Sequence, residues 1–146
     1  MPVYAINRRA RFDYEILDTI EAGVVLTGGE VKAVRNGSVR LAGSFVTFHG
    51  NDAFLLNMHI AKYKKAGPSL PHDPDRSKKL LLKKKQIDYL RGKSQEEGLT
   101  IVPLSVYTRG SRVKVEIGIA RGKKKYDKRE KIKRRDIARD IAREKK

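Results

Sequence analysis

The residue types that usually carry catalysis or metal binding are few and scattered in this chain. The three histidines, His49, His59 and His72, stand at no ligand spacing to one another or to a carboxylate on an obvious helix. Asp73-Pro74-Asp75 offers oxygens, but Asp-Pro is ordinary turn chemistry. With no cysteine there is neither a thiolate nucleophile nor a disulfide. No P-loop, GxSxG or dinucleotide fingerprint occurs, and Gly28-Gly29 reads as a turn. An enzyme, a metal, a cofactor or a small-molecule substrate is therefore not expected. The chemistry the residues do offer is the binding of a polyanion. Lys and Arg number 34 against 17 Asp and Glu, a net charge of +17. Arg8, Arg9, Arg11, Lys32, Arg35 and Arg40 gather in the first third of the chain, interleaved with Phe12 and Tyr14. Aromatic rings can stack on unpaired bases, but most ring residues in strands are core. Tyr126, between Lys125 and Asp127, lies outside any predicted core and is a stronger stacking candidate than Tyr63 or Tyr14.

The charge is concentrated at the C-terminal end. Residues 121–146 hold 14 Lys/Arg against 5 Asp/Glu, a net of +9, which leaves +8 on the other 120 residues. Their only large apolar residues are Tyr126, Ile132, Ile137 and Ile141. Such a segment cannot offset an ordering entropy of roughly 1–2 kcal/mol per residue, so it is expected to be disordered when free and to order on a polyanion. Arg135-Asp136-Ile137-Ala138 repeats as Arg139-Asp140-Ile141-Ala142. The four-residue period stacks Ile137 above Ile141 on one helical face, with Asp136–Arg139 and Asp140–Arg143 pairs worth about 0.2–0.5 kcal/mol each. A helix that forms only when bound is expected there. The division is a body over 1–121 and a flexible basic tail over 122–146.

The body must position whatever binds, and its patterns are those of strands. Phe12 to Leu26 is β-rich and alternating, with Gly23 at a bend. Gly28 to Gly37 predicts a short helix with Glu30 in its first turn, Val31 and Val34 on one face, and Asn36-Gly37 as the stop. Phe45–Phe48 and Ala53–Ile60 flank Gly50-Asn51-Asp52, a hairpin signal. Lys62 to Lys79, with Pro68, Pro71 and Pro74, predicts a long loop. A helix is expected near residues 84–97, with Ile87 and Leu90 inward and Gly98 as its stop. Leu99–Tyr107, a turn at Thr108–Ser111, and a strand alternating Val113, Val115, Ile117, Ile119 with wet positions Lys114, Glu116, Gly118, Ala120 complete the set. The expected fold is mainly β: an OB-fold-like antiparallel barrel with accessory helices and a flexible tail, an open α+β sheet being the alternative. No apolar run reaches 18 residues and no signal peptide is recognisable, so a cytoplasmic protein without a membrane partner is expected.

An ordered set of motifs then resembles a known family. These are N-R-R-A-R at 7–11, E-A-G at 21–23, G-x-E-V-K-A-x-R-x-G at 28–37 and D-P-x-R-x-K-K-L-L-L at 73–82. L-S-V-Y at 104–107, K-V-E-I-G-I-A-R-G-K-K at 114–124 and Y-D-K-R at 126–129 follow in order. Together they resemble the small protein B family, the SsrA-binding partners of transfer-messenger RNA. The resemblance implies an OB-fold barrel that binds the tRNA-like domain of that RNA and delivers it to stalled ribosomes for trans-translation. It implies RNA-binding roles for Glu21 and, by proximity, for Asn7, Glu30, Lys32 and Leu81; Arg11 and Arg35 join them from the basic cluster. It also implies that Gly122, Lys123, Lys124, Tyr126, Asp127, Lys128 and Arg129 reach the vacant decoding centre of the ribosome, with the following helix in the messenger channel. Many relatives carry an aromatic in that helix where this chain has Ile137 and Ile141. The rival readings are a generic single-strand or ribosomal RNA-binding OB protein, and an RNA-processing enzyme, for which no titratable cluster is visible.

Overall fold

A computed structural model describes residues 2–62 and 73–123. Nine strands and three helices occur among them: β1 (Val3–Ile6), α1 (Arg8–Asp13), β2 (Tyr14–Val24), α2 (Gly28–Arg35), β3 (Val39–Arg40), β4 (Phe45–His49), β5 (Asp52–Leu56), β6 (His59–Ile60), β7 (Lys78–Leu81), α3 (Lys84–Ser94), β8 (Leu99–Arg109) and β9 (Arg112–Gly122). Seven strands form one antiparallel sheet in the order β1-β8-β9-β2-β7-β5-β4, and β3 pairs with β6. The sheet curls until β4 lies against β8, giving the expected OB-like barrel. Val34, Leu55, Met58, Ile60, Leu80, Leu90, Val106, Val115 and Ile117 fill it.

The corner of the barrel is at Gly23. It pairs with Lys114 of β9 on one side and Leu81 of β7 on the other. A Cβ there would stand 3.1 Å from that of Leu81, so a residue without one lets the strands meet. Near its start β2 carries a bulge at Leu17, which lies between Ile16 and Asp18 in the register and is exposed. The bulge resets the alternation, so that Ala22 and Val24 face the core.

The strand expected from Phe12 begins at Tyr14 instead. Asn7 is the N-cap of a helix that takes Phe12 and Asp13 into its last turn; its Oδ1 accepts the Ala10 N–H at 3.1 Å. This helix roofs a second small core of Ala10, Val102, Leu104 and Ala120 on the outer side of the sheet. Gly118 and Ala120, expected on a wet face, are buried under it.

α2 forms as its sequence requires: Thr27 Oγ1 accepts the Glu30 N–H at 3.2 Å and Glu30 Oε1 accepts the Thr27 N–H at 2.9 Å, a capping box. It buries Ala33 and Val34, with Val31 half-buried. α3 ends at Ser94, three residues short of expectation. Gln95 and Glu96 donate to the carbonyls of Gly92 and Lys93, three residues back, which tightens and closes the last turn. Ala53–Ile60 divides into β5 and β6. The expected loop over 62–79 is overturned at its end: Lys78 and Lys79 open β7, a strand set between β2 and β5, and residues 63–72 lie outside the described residues.

Candidate nucleic-acid interface

The register of the sheet builds one outer face from strands distant in sequence. Val3, Tyr107, Lys114, Gly23 and Leu81 are successive partners across β1, β8, β9, β2 and β7. Beside that row run Ser105, Glu116 and Glu21. Alternation places these side chains opposite Val106, Val115 and Ala22, which point into the barrel. The face holds two shallow grooves: one of about 440 Å³ lined by Glu21, Ser105, Tyr107, Arg109 and Glu116, and one of about 260 Å³ lined by Gly23, Leu81, Ser111, Arg112 and Lys114.

Glu21 accepts a hydrogen bond from the Tyr107 hydroxyl at 2.6 Å and pairs with Arg109 at 3.4 Å. Burial, then the hydrogen bond and charge of Glu21, push the Tyr107 phenol up, so it stays a donor across the neutral range. Glu116 pairs with Arg11 at 3.3 Å. Each acid thus sits beside a guanidinium, and the face offers alternating acceptors and donors rather than a bare cationic field. Carboxylates in such a setting can accept hydrogen bonds from base amino groups, and the cations Lys114, Arg11 and Arg109 beside them are of the type that pairs with phosphate. Leu81 is 55% exposed beside them, an apolar surface for a base or ribose.

The structure brings Glu21, Leu81 and Arg11 to this face. Arg35 reaches its rim, donating to the Ser111 carbonyl at 3.3 Å, and Lys32 lies on the exposed side of α2. Asn7 is elsewhere: only 5% exposed, it donates to the Pro103 carbonyl at 2.9 Å and caps α1. Glu30 is also internal, its carboxylate held by the Thr27 N–H and by Arg76 at 2.5 Å. Burial pushes its pKa up, but the hydrogen bonds from Arg76 and Thr27 and the charges of Arg76 and Lys78 outweigh this and hold the carboxyl below its ordinary value. Gly122 closes β9 opposite Tyr14, and Lys123 is tied to α1, its N–H to the Asp13 carbonyl at 3.0 Å and its Nζ to the Arg11 carbonyl at 3.3 Å. Lys124, Tyr126, Asp127, Lys128, Arg129, Ile137 and Ile141 lie outside the described residues.

Sequence reasoning missed Tyr107, Arg109, Lys114 and Glu116 as site residues. The signal was present in the alternating polar positions of the last hairpin; what it lacked was the register joining them to Glu21. Lys78 was missed as well. It is fully buried, donating to the carbonyls of Met58 at 2.8 Å and Arg76 at 2.6 Å, and burial lowers its pKa. Among the described residues no cluster of three His, Asp or Glu is arranged to hold a metal, and no helix is long and apolar enough to cross a membrane.

A barrel with accessory helices and a mixed-charge outer face defines a class of small β-barrel binding proteins. Comparison with known proteins narrows it. The family model described as SmpB protein matches residues 4–146. The SsrA-binding protein of Chloroflexus aurantiacus is 55% identical over 141 residues, covering 97% of this chain and 88% of that protein. That of Prochlorococcus marinus is 53% identical over 135 residues, 92% of this chain and 77% of the relative. A chain from a solved structure described as "tmRNA-SmpB: a journey to the center of the bacterial ribosome" is 48% identical, with a TM-score of 0.72 over 86% of this chain and 87% of that one. The chain belongs to the SmpB family. The relatives are named for binding, not for catalysis.

Proposed function

We propose that this chain binds the tRNA-like domain of transfer-messenger RNA with its barrel and delivers that RNA to stalled ribosomes, working in the cytoplasm and catalysing no reaction itself. The observation that carries the reading is the outer face of β8, β9, β2 and β7. Glu21, Tyr107, Arg109, Lys114, Glu116 and Leu81 combine acceptors, cations and an apolar contact on a rigid sheet, in a chain whose relatives are SsrA-binding proteins. Folded RNA is recognised by shape together with such contacts, whereas a non-selective single-strand binder relies on stacking and cations. Residues up to Lys123 would form the RNA-binding body. The segment beyond, with Lys124, Tyr126, Asp127, Lys128 and Arg129, would enter the vacant decoding centre, and Ile137 and Ile141 would lie on a helix formed in the messenger channel.

Gel-shift competition tests the reading. Transfer-messenger RNA should displace the labelled complex at far lower concentration than an unrelated structured RNA of equal length. Glu21→Lys, shown folded by circular dichroism, should weaken binding by about 1–3 kcal/mol although it adds positive charge. Equal competition by both RNAs, or tighter binding by the folded mutant, would favour the generic RNA-binding barrel.

A further inference from the structure

Leu81 owes its place on the outer face to a very short strand. β7 has four residues and pairs with β2 at only two positions, Gly23–Leu81 and Val24–Leu80. A slip of one residue would turn Leu81 into the barrel and bring its neighbours out, because side chains alternate along a strand. Apolar packing alone discriminates poorly here, since Leu80, Leu81 and Leu82 follow one another.

The polar groups at the start of β7 are far more exacting. Lys78 is entirely buried, and its Nζ requires the carbonyls of Met58 and Arg76 at 2.8 and 2.6 Å. Arg76 bridges from the same stretch to Glu30 in α2 at 2.5 Å and to the Val25 carbonyl at 3.4 Å. The Val25 N–H donates to the Lys79 carbonyl at 2.9 Å. Glu30 is thereby consumed inside the protein, with 3% of its side chain exposed. Slipping β7 by one residue would tear Lys78 from both carbonyls, turn it outward and put Ser77 or Lys79 in its place; in either direction Arg76 leaves Glu30, whose buried carboxylate loses its cation.

We propose that the buried Lys78 and Glu30, with the half-exposed Arg76 that bridges to Glu30, form a register lock that holds Leu81 on the RNA-binding face, and that Arg76 and Lys78 are positioning residues for RNA recognition without contacting RNA. The inference rests on the functional reading above. A buried ionic group can specify one arrangement over its neighbours even where it adds little stability. Lys78 sits in a run of basic residues, yet this one is withdrawn from solvent.

The test is a binding titration of the full chain with transfer-messenger RNA at several salt concentrations, for the wild type, Lys78→Met, Leu81→Ala and the double variant. Lys78→Met should weaken binding about tenfold, the scale of one lost contact. The log–log salt slope should stay at the wild-type value, because Lys78 neutralises no phosphate; a direct contact would lower it by about 0.7–0.9. Leu81→Ala should cost less than about threefold more in the Lys78→Met background, since the two act through one feature. Should Lys78→Met not fold, Arg76→Gln carries the same comparison from a half-exposed site. Unchanged affinity, a reduced salt slope, or full additivity with Leu81→Ala overturns the lock. Failure of the wild type itself to bind would instead overturn the functional reading.

Discussion

Glu21 and Glu30 show how the same residue type is put to opposite uses by its surroundings. Glu21 lies on an outer face and shares its oxygen between a phenol and a guanidinium. Glu30 is closed into a helix cap and the Arg76 bridge. Because Glu30's folded pKa is held below the unfolded one, its contribution to stability is complete above the unfolded value and drains away as pH falls toward the folded value. Lys78 acts in the other direction: burial lowers its pKa, so its cost is present at neutral pH and is relieved as pH rises toward the unfolded lysine value. Glu30→Gln should therefore lower stability at neutral pH by about 1–3 kcal/mol and flatten the acid limb of the stability curve. Urea denaturation from pH 3 to 7 would check it; an acid limb as steep as that of the wild type would show that other carboxylates dominate.

Local punctuation decided which elements were legible before the structure. α2 announces itself through Thr27, Glu30 and the Asn36-Gly37 stop, and the β4–β5 and β8–β9 hairpins through their turns. α1 was hidden because a β-rich run begins at Phe12 and drew attention from Asn7, a sound N-cap. β7 was hidden because Lys78-Lys79 following a proline-containing stretch reads as a solvated loop, and no periodicity marks a lysine as buried. The site was legible in the same uneven way. Glu21 and Leu81 came from family resemblance, whereas Tyr107, Arg109 and Glu116 needed strand register, which one sequence does not carry. Packing beneath α1 was equally out of view. A Cβ on Gly118 would stand 2.9 Å from Leu104 Cδ1 and 3.2 Å from Ile16 Cγ2. Gly118→Ala should overpack this small core and cost about 1–3 kcal/mol, read as a lowered thermal midpoint. An unshifted midpoint would mean that Leu104 can move aside freely.

At the scale of the molecule, the proposed function gives the body and the basic segment separable tasks. β9 runs through Gly122, and Lys123 is still bonded to α1, so a truncation that leaves these contacts intact falls after Lys123. Truncation at that point removes a large share of the positive charge. A mechanism of charge alone predicts a steep loss of affinity for transfer-messenger RNA. With the outer face as the main site, affinity should fall by less than about tenfold while ribosome rescue is abolished. Gel shift and a peptide-tagging assay on stalled ribosomes read the two separately. Ile137→Pro refines the test, since it leaves charge unchanged and costs about 3 kcal/mol within a helix. Rescue at the wild-type level by that variant would show that helix formation is not required.

The pairing of β2 with β9, from Tyr14–Gly122 to Gly23–Lys114, has a metrical consequence. Glu21 is near one end of this ribbon and the root of the C-terminal segment is at the other. At about 3.3 Å per residue the two lie roughly 20 Å apart along a hydrogen-bonded double strand. The ribbon is a ruler. If RNA is seated against Glu21, as proposed, the point from which the C-terminal segment departs is fixed at that span, and the reach of the segment is counted from there.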